Sequence, residues 1–164
     1  MIKLLLLDID GCMTDGKIIY DANSCESKAF NVKDGLGIVS WKRLGLEVAI
    51  ITGRDSHIVA HRAKELGITH LYQGIKNKFA IYEQLLEQLQ LQPSEVAAIG
   101  DDLNDYQMLQ HAQRSFTPNN GVDEIKQIVD TVLTRNGGDG AVREMIDILL
   151  KENGMYDQFL ALWK

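Results

Sequence analysis

Little in this sequence would stiffen or divide the chain. Its 164 residues include only two prolines, Pro93 and Pro118. No linker-like stretch, low-complexity block or fixed-period repeat interrupts it. Two cysteines, Cys12 and Cys25, are too few for a disulfide framework and read as cytosolic thiols. No apolar run approaches membrane-spanning length, because Ile2–Ile9 is broken by Lys3 and Asp8. That run also lacks a long apolar region and a small-residue cleavage site, so a cytoplasmic location is expected, with no membrane partner. Basic charge is in deficit: 17 Lys+Arg against 23 Asp+Glu give a net −6. Holding a phosphate backbone needs the opposite sign, so no nucleic-acid partner is expected.

What is present suits one domain over 1–164. The chain is 45% hydrophobic and 24% charged, close to the globular average. A chain of this length buries about two-thirds of its unfolded surface. Lys3–Asp8 is a continuous apolar run ending in an acid, the pattern of a strand covered on both faces. Glu47–Ile51 and Val96–Ile99 repeat it, with shorter strands at His70–Tyr72, Arg114–Phe116 and Thr131–Leu133. Helical spacing fills Asp34–Leu44, Ser56–Leu66, Lys76–Leu89, Asn104–His111, a segment from Val122, and Gly140–Glu152. Lys17–Tyr20 and Lys28–Val32 flank a polar turn and predict a β-hairpin within 17–32. Strands alternating with helices predict an α/β fold: a three-layer, doubly wound, mostly parallel sheet with a protruding hairpin.

In such sheets ligands bind beyond the carboxyl ends of the strands. The first strand ends in Asp8-Ile9-Asp10-Gly11, a second in Thr52-Gly53-Arg54, and a third in Gly100-Asp101-Asp102, followed by Asn104 and Asp105. Lys78 opens a helix between the last two. Convergent carboxylates stay ionised only beside a cation, and oxygen donors without His or Cys select Mg²⁺ over zinc. The hydroxyl of Thr52 and the ammonium of Lys78 suit phosphate oxygens. This set reads as phosphoryl transfer with a carboxylate nucleophile. His57, His61, His70 and His111 are scattered and have no zinc-ligand company.

The stretch from Asp8 to Gly16, Thr52-Gly53-Arg54, Lys78, and Gly100 to Asp105 resemble, in order, the four motifs of the haloacid dehalogenase-like phosphohydrolases. The resemblance implies that Asp8 attacks phosphorus and becomes an aspartyl phosphate. Asp10 then serves as acid toward the leaving alkoxide and as base toward water. Thr52 and Lys78 hold the phosphoryl oxygens. Asp8, the backbone carbonyl of Asp10 and Asp101 hold Mg²⁺, with Asp102 supporting the ion and Asp105 orienting Lys78 or its loop. Asp10 favours a phosphatase, since dehalogenases lack this acid and transport ATPases replace it. Signalling receiver domains share a strand-end Asp, Thr and Lys but lack the Asp10-Gly11 arrangement and the Gly100–Asp105 motif.

Neither Gly16–Val32 nor Thr52–Lys78 has room for a cap domain. A finer likeness, through Thr14-Asp15-Gly16, Phe30 to Ile38, Gly53-Arg54-Asp55-Ser56 and Gly137 to Glu144, is to the 3-deoxy-D-manno-octulosonate 8-phosphate phosphatases of lipopolysaccharide synthesis. It implies a homotetramer in which hairpins associate and a neighbour closes each active site. It also implies a phosphorylated sugar acid as substrate. Gly53, Arg54 and Arg62 are the candidate substrate contacts, the arginines because their forks match a planar carboxylate. Relatives acting on nine-carbon sialic-acid-type 9-phosphates tend to carry Glu in place of Arg54. A non-catalytic oligomerisation domain, of the kind fused to cytidylyltransferases, would not need the complete acid set. The chain departs from the pattern at Ala60-His61 before Arg62, at Thr117–Asp123, and at Cys12-Met13. The apolar tail, 154–164, is expected to pack on its own domain or on a neighbouring subunit.

Overall fold

Leu4–Leu7 is apolar at every position because both of its faces are covered. In the computed structural model, which describes residues 1–164, this strand (β1) lies at the centre of a six-stranded sheet. Leu5 and Leu7 enter one core, with Val48, Ile50, Ala97 and Ile99 of the neighbouring strands. Leu4 and Leu6 enter the other, with Ala49, Ile51, Val96 and Ala98. Successive side chains on a strand point to opposite faces, so a strand between two helical layers must be apolar throughout.

The other strands are β2 (Ile19–Tyr20), β3 (Glu26–Ser27), β4 (Glu47–Ile51), β5 (His70–Tyr72), β6 (Val96–Ile99), β7 (Arg114–Thr117) and β8 (Thr131–Val132). The helices are α1 (Val32–Arg43), α2 (His57–Glu65), α3 (Lys78–Leu89), α4 (Tyr106–His111), α5 (Asp123–Lys126), α6 (Ala141–Glu152) and α7 (Tyr156–Ala161). The sheet order is β5-β4-β1-β6-β7-β8, and every pair in it is parallel. Strand order reverses between β1 and β6, so the crevice at their carboxyl ends is where this topology places a ligand. The expected α/β class is found, and no separate cap covers the sheet.

Two local expectations are corrected. The second hairpin arm pairs at Glu26–Ser27 rather than over Lys28–Val32. Asp21 sets this register: its Oδ1 accepts from the amides of Asn23 (2.8 Å) and Cys25 (2.9 Å), closing a short loop. Asn31 then caps α1 by accepting from the Lys33 amide at 2.8 Å, so the helix begins before Asp34. The tail forms a helix of its own, α7, on its own domain. Phe159 is buried, and the Trp163 indole donates to Ser40 Oγ at 3.0 Å.

Candidate active site

Directly after β1 the chain makes one wide helical turn, Ile9–Met13, broken inside at Asp10 (φ −76°, ψ 108°) and Gly11 (φ 100°). Gly11 is required on two counts. Its φ is left-handed, and a Cβ there would overlap the Asp101 carboxylate. A Cβ at Gly137 would strike the carbonyl of Gly11, and Gly138 donates to the Cys12 carbonyl at 3.0 Å. The glycine-rich loop before α6 therefore braces the turn that carries Asp8 and Asp10.

Asp8, Asp10, Thr52, Gly53, Arg54, Asp101 and Asp102 line one cavity of about 300 Å³, with Gly16 and Asn104. Lys78 reaches the same centre from the start of α3, where Asn77 caps the helix. Its Nζ donates to Asp8 Oδ1 and to Asp105 Oδ1, both at 2.6 Å, and all three side chains are nearly inaccessible. Asp105 Oδ2 in turn accepts from the Asp101 amide at 3.0 Å. One residue thus fixes both the lysine and the β6 loop.

Burial would lower the basicity of Lys78, but the charges of Asp8 and Asp105 outweigh it and hold the ammonium protonated. Burial pushes Asp8 well above the usual carboxylate range, and Asp105 adds to the rise while Lys78 opposes it. Asp101 is pushed up to about 6, chiefly by burial and then by Asp105 and Asp102. The ion pair at 2.6 Å favours an ionised Asp8, whereas burial among acids opposes it. Asp8, Asp101 and Asp105 share the single ammonium of Lys78, so ionising all three would leave two negative charges uncompensated.

A divalent cation would supply that compensation. Ligand atoms of Asp8, Asp101 and Cys12 lie within 4.8 Å of one another. Burial and then Asp8 and Asp101 raise the Cys12 thiol, so it stays protonated and is a poor ligand. The remaining donors are oxygens, which suit Mg²⁺. The side chains of Asp10 and Asp102 stand outside this cluster. Asp102 Oδ1 is occupied in capping the Leu103 amide at 2.7 Å.

The hairpin supplies a second network. Arg54, partly exposed, donates to Tyr20 Oη at 3.1 Å and to Glu26 Oε1 at 3.4 Å. Lys28 bonds the same Glu26 oxygen at 3.0 Å and also Asp10 Oδ1. Tyr20, Glu26 and Lys28 had not been expected at the site. Their only signal in the sequence is charge at alternate positions, Glu26 and Lys28, in an otherwise exposed hairpin. Arg62, expected at the substrate, is not brought to this cavity. Its guanidinium lies over the Phe30 ring and pairs with Glu65 at 3.3 Å, because α2 turns that face toward α1.

Residues 31–113 match the family model for haloacid dehalogenase-like hydrolases. The 3-deoxy-D-manno-octulosonate 8-phosphate phosphatase KdsC of Escherichia coli K12 is 50% identical over 109 residues, 66% of this chain. That match spans 58% of the length of the E. coli protein. The Moraxella catarrhalis phosphatase of the same name, solved with magnesium, phosphate and KDO, superposes with a TM-score of 0.96. It is 42% identical, over 99% of this chain and 94% of that one. The cobalt-bound Haemophilus influenzae enzyme superposes at 0.91 with 37% identity, covering 94% of this chain and 91% of its own.

Proposed function

Because this chain belongs to the haloacid dehalogenase-like hydrolases, we propose that it is a magnesium-dependent phosphomonoesterase whose substrate is 3-deoxy-D-manno-octulosonate 8-phosphate. One observation carries the chemistry: a buried Asp8–Lys78–Asp105 cluster beside Asp101, opening into the cavity that Asp10 and Thr52 line.

An Asp8 carboxylate oxygen bonds to phosphorus while the bond from phosphorus to the sugar oxygen breaks. The Asp10 carboxyl gives its proton to that departing oxygen. Asp10, now a carboxylate, takes a proton from water, whose oxygen attacks phosphorus. The bond to Asp8 breaks, releasing phosphate and restoring the carboxylate. Lys78 and Thr52 hold the phosphoryl oxygens throughout. Asp8, Asp101 and the backbone carbonyl of Asp10 would hold Mg²⁺, which offsets the negative charge shared by carboxylates and phosphate. Arg54, on the hairpin side, takes the sugar carboxylate.

The assembly is a homotetramer built through the hairpins. Ile18, Ile19 and Tyr20 on the hairpin and Val32 and Leu36 at the start of α1 expose apolar surface. No helix is long and apolar enough to cross a membrane. We assign the enzyme to the cytoplasm from its two free cysteines and its substrate.

The reading is tested by phosphate release, with Mg²⁺, from the eight-carbon substrate, a nine-carbon sialic-acid-type 9-phosphate and a phosphopeptide. Preference for the first, lost in Asp8→Asn and in excess chelator, is expected. Turnover of another substrate alone would discard the specificity, and turnover surviving chelation would discard the metal.

A further inference from the structure

Lys28 is placed unlike any other hairpin residue. Its side chain is only 1% exposed, although it stands on a hairpin whose tip is open to solvent. Its ammonium bonds Asp10 Oδ1 on one side and Glu26 Oε1, at 3.0 Å, on the other. It does not line the cavity where the phosphoryl group would sit, whereas Asp10 does. Asp10 needs such a hold. It sits on a turn that has left helical geometry, next to the left-handed Gly11. Lys28 takes Oδ1 of a carboxylate that lines the cleft, and Oδ2 is not part of that bond.

We propose that Lys28 is a positioning residue that fixes the Asp10 carboxyl against the departing oxygen of the substrate. Glu26 ties this hold to Arg54, at 3.4 Å, so the hairpin sets the proton donor and the specificity residue as one unit. The proposal rests on the phosphatase reading above. An acid displaced by about 1 Å can cost on the order of 100-fold in rate, so the support of Asp10 matters as much as its presence.

The test is the leaving-group dependence of kcat/KM, which covers events up to cleavage of the ester bond. An alkyl phosphate needs its departing oxygen protonated, whereas p-nitrophenyl phosphate does not. Lys28→Met should lower kcat/KM by on the order of tenfold or more for the alkyl ester and by less than about threefold for the aryl ester. Lys28→Arg should recover part of the loss. In an Asp10→Asn background, Lys28→Met should cost nothing further. Equal losses on both esters, or a further loss in that background, would overturn the proposal and leave Lys28 as a staple for the hairpin. The mass of each variant in solution reads hairpin assembly separately. A wild type that releases phosphate from neither ester nor from the eight-carbon sugar-acid phosphate would sink the phosphatase reading itself. A wild type that hydrolyses both, with unchanged selectivity in Lys28→Met, would sink only the positioning role.

Discussion

The two halves of the cleft are held in different ways. Asp8, Lys78 and Asp105 are buried, pinned by strand ends and a helix start, and bonded at 2.6 Å. Asp10, Lys28, Glu26, Arg54 and Tyr20 form a more open network, in which Arg54 and Tyr20 are exposed and Arg54 makes contacts of 3.1 and 3.4 Å. In the proposed reaction the buried half performs what every phosphomonoester needs: attack on phosphorus and retention of the phosphoryl group. On the same proposal the hairpin half meets what differs between substrates, the leaving group and its carboxylate. That proposal puts the general step on the rigid sheet and the selective step beside an appendage that can vary without disturbing the core.

The largest expected contrast is in stability. Lys78→Met would leave Asp8 and Asp105 buried without their shared cation. Breaking a buried pair from one side costs about 3–5 kcal/mol, which is roughly 10 °C in melting temperature for a chain of this size. Arg54→Met removes a half-exposed guanidinium and should cost less than about 1 kcal/mol. Thermal melts of the two variants in chelator would break the comparison if their losses were equal.

Next comes substrate recognition. Arg54→Met should raise KM for the sugar-acid phosphate by about tenfold, the worth of one charge-assisted contact, and leave p-nitrophenyl phosphate nearly unaffected. Steady-state kinetics on both substrates checks this. An equal effect on both would move Arg54 into the phosphoryl-holding half.

The smallest effect is on the pH dependence of stability. Asp101 titrates at about 6 in the fold, above its ordinary 3.8, so the folded protein binds more protons than the unfolded one between those values. Its contribution to metal-free stability therefore falls as pH rises through that window. Asp101→Asn should melt higher than the wild type at pH 7 in chelator and match it below the ordinary carboxylate range. Mg²⁺ should raise the wild type and not the variant. A gap independent of pH would contradict the surplus of buried negative charge.

The division between halves also separates what the sequence discloses from what it hides. Asp8, Thr52 and Asp101 follow strands apolar on both faces, and strand-end position is legible from periodicity alone. Lys78 is found the same way, as the opening of a helix capped by Asn77. The hairpin is present as predicted, but its register depended on Asp21 gathering two amides, a contact that periodicity does not encode. Lys28 could not be read at all, because its meaning depends on the hairpin bringing it to Asp10, on the turn after β1. Arg62 does not line the cavity of its own chain, for the converse reason. Its spacing places it on α2, but the direction of that helix face is set by packing against α1 and Phe30.

In the proposed reaction Asp8 carries the phosphoryl group. Enzyme mixed with Mg²⁺ and phosphorylated substrate, quenched in acid within one turnover, should yield by mass spectrometry a peptide bearing one phosphoryl group on Asp8. No such adduct is expected from Asp8→Asn. A phosphoryl group on another residue, or phosphate release through many quench times with no adduct at Asp8, would contradict the account.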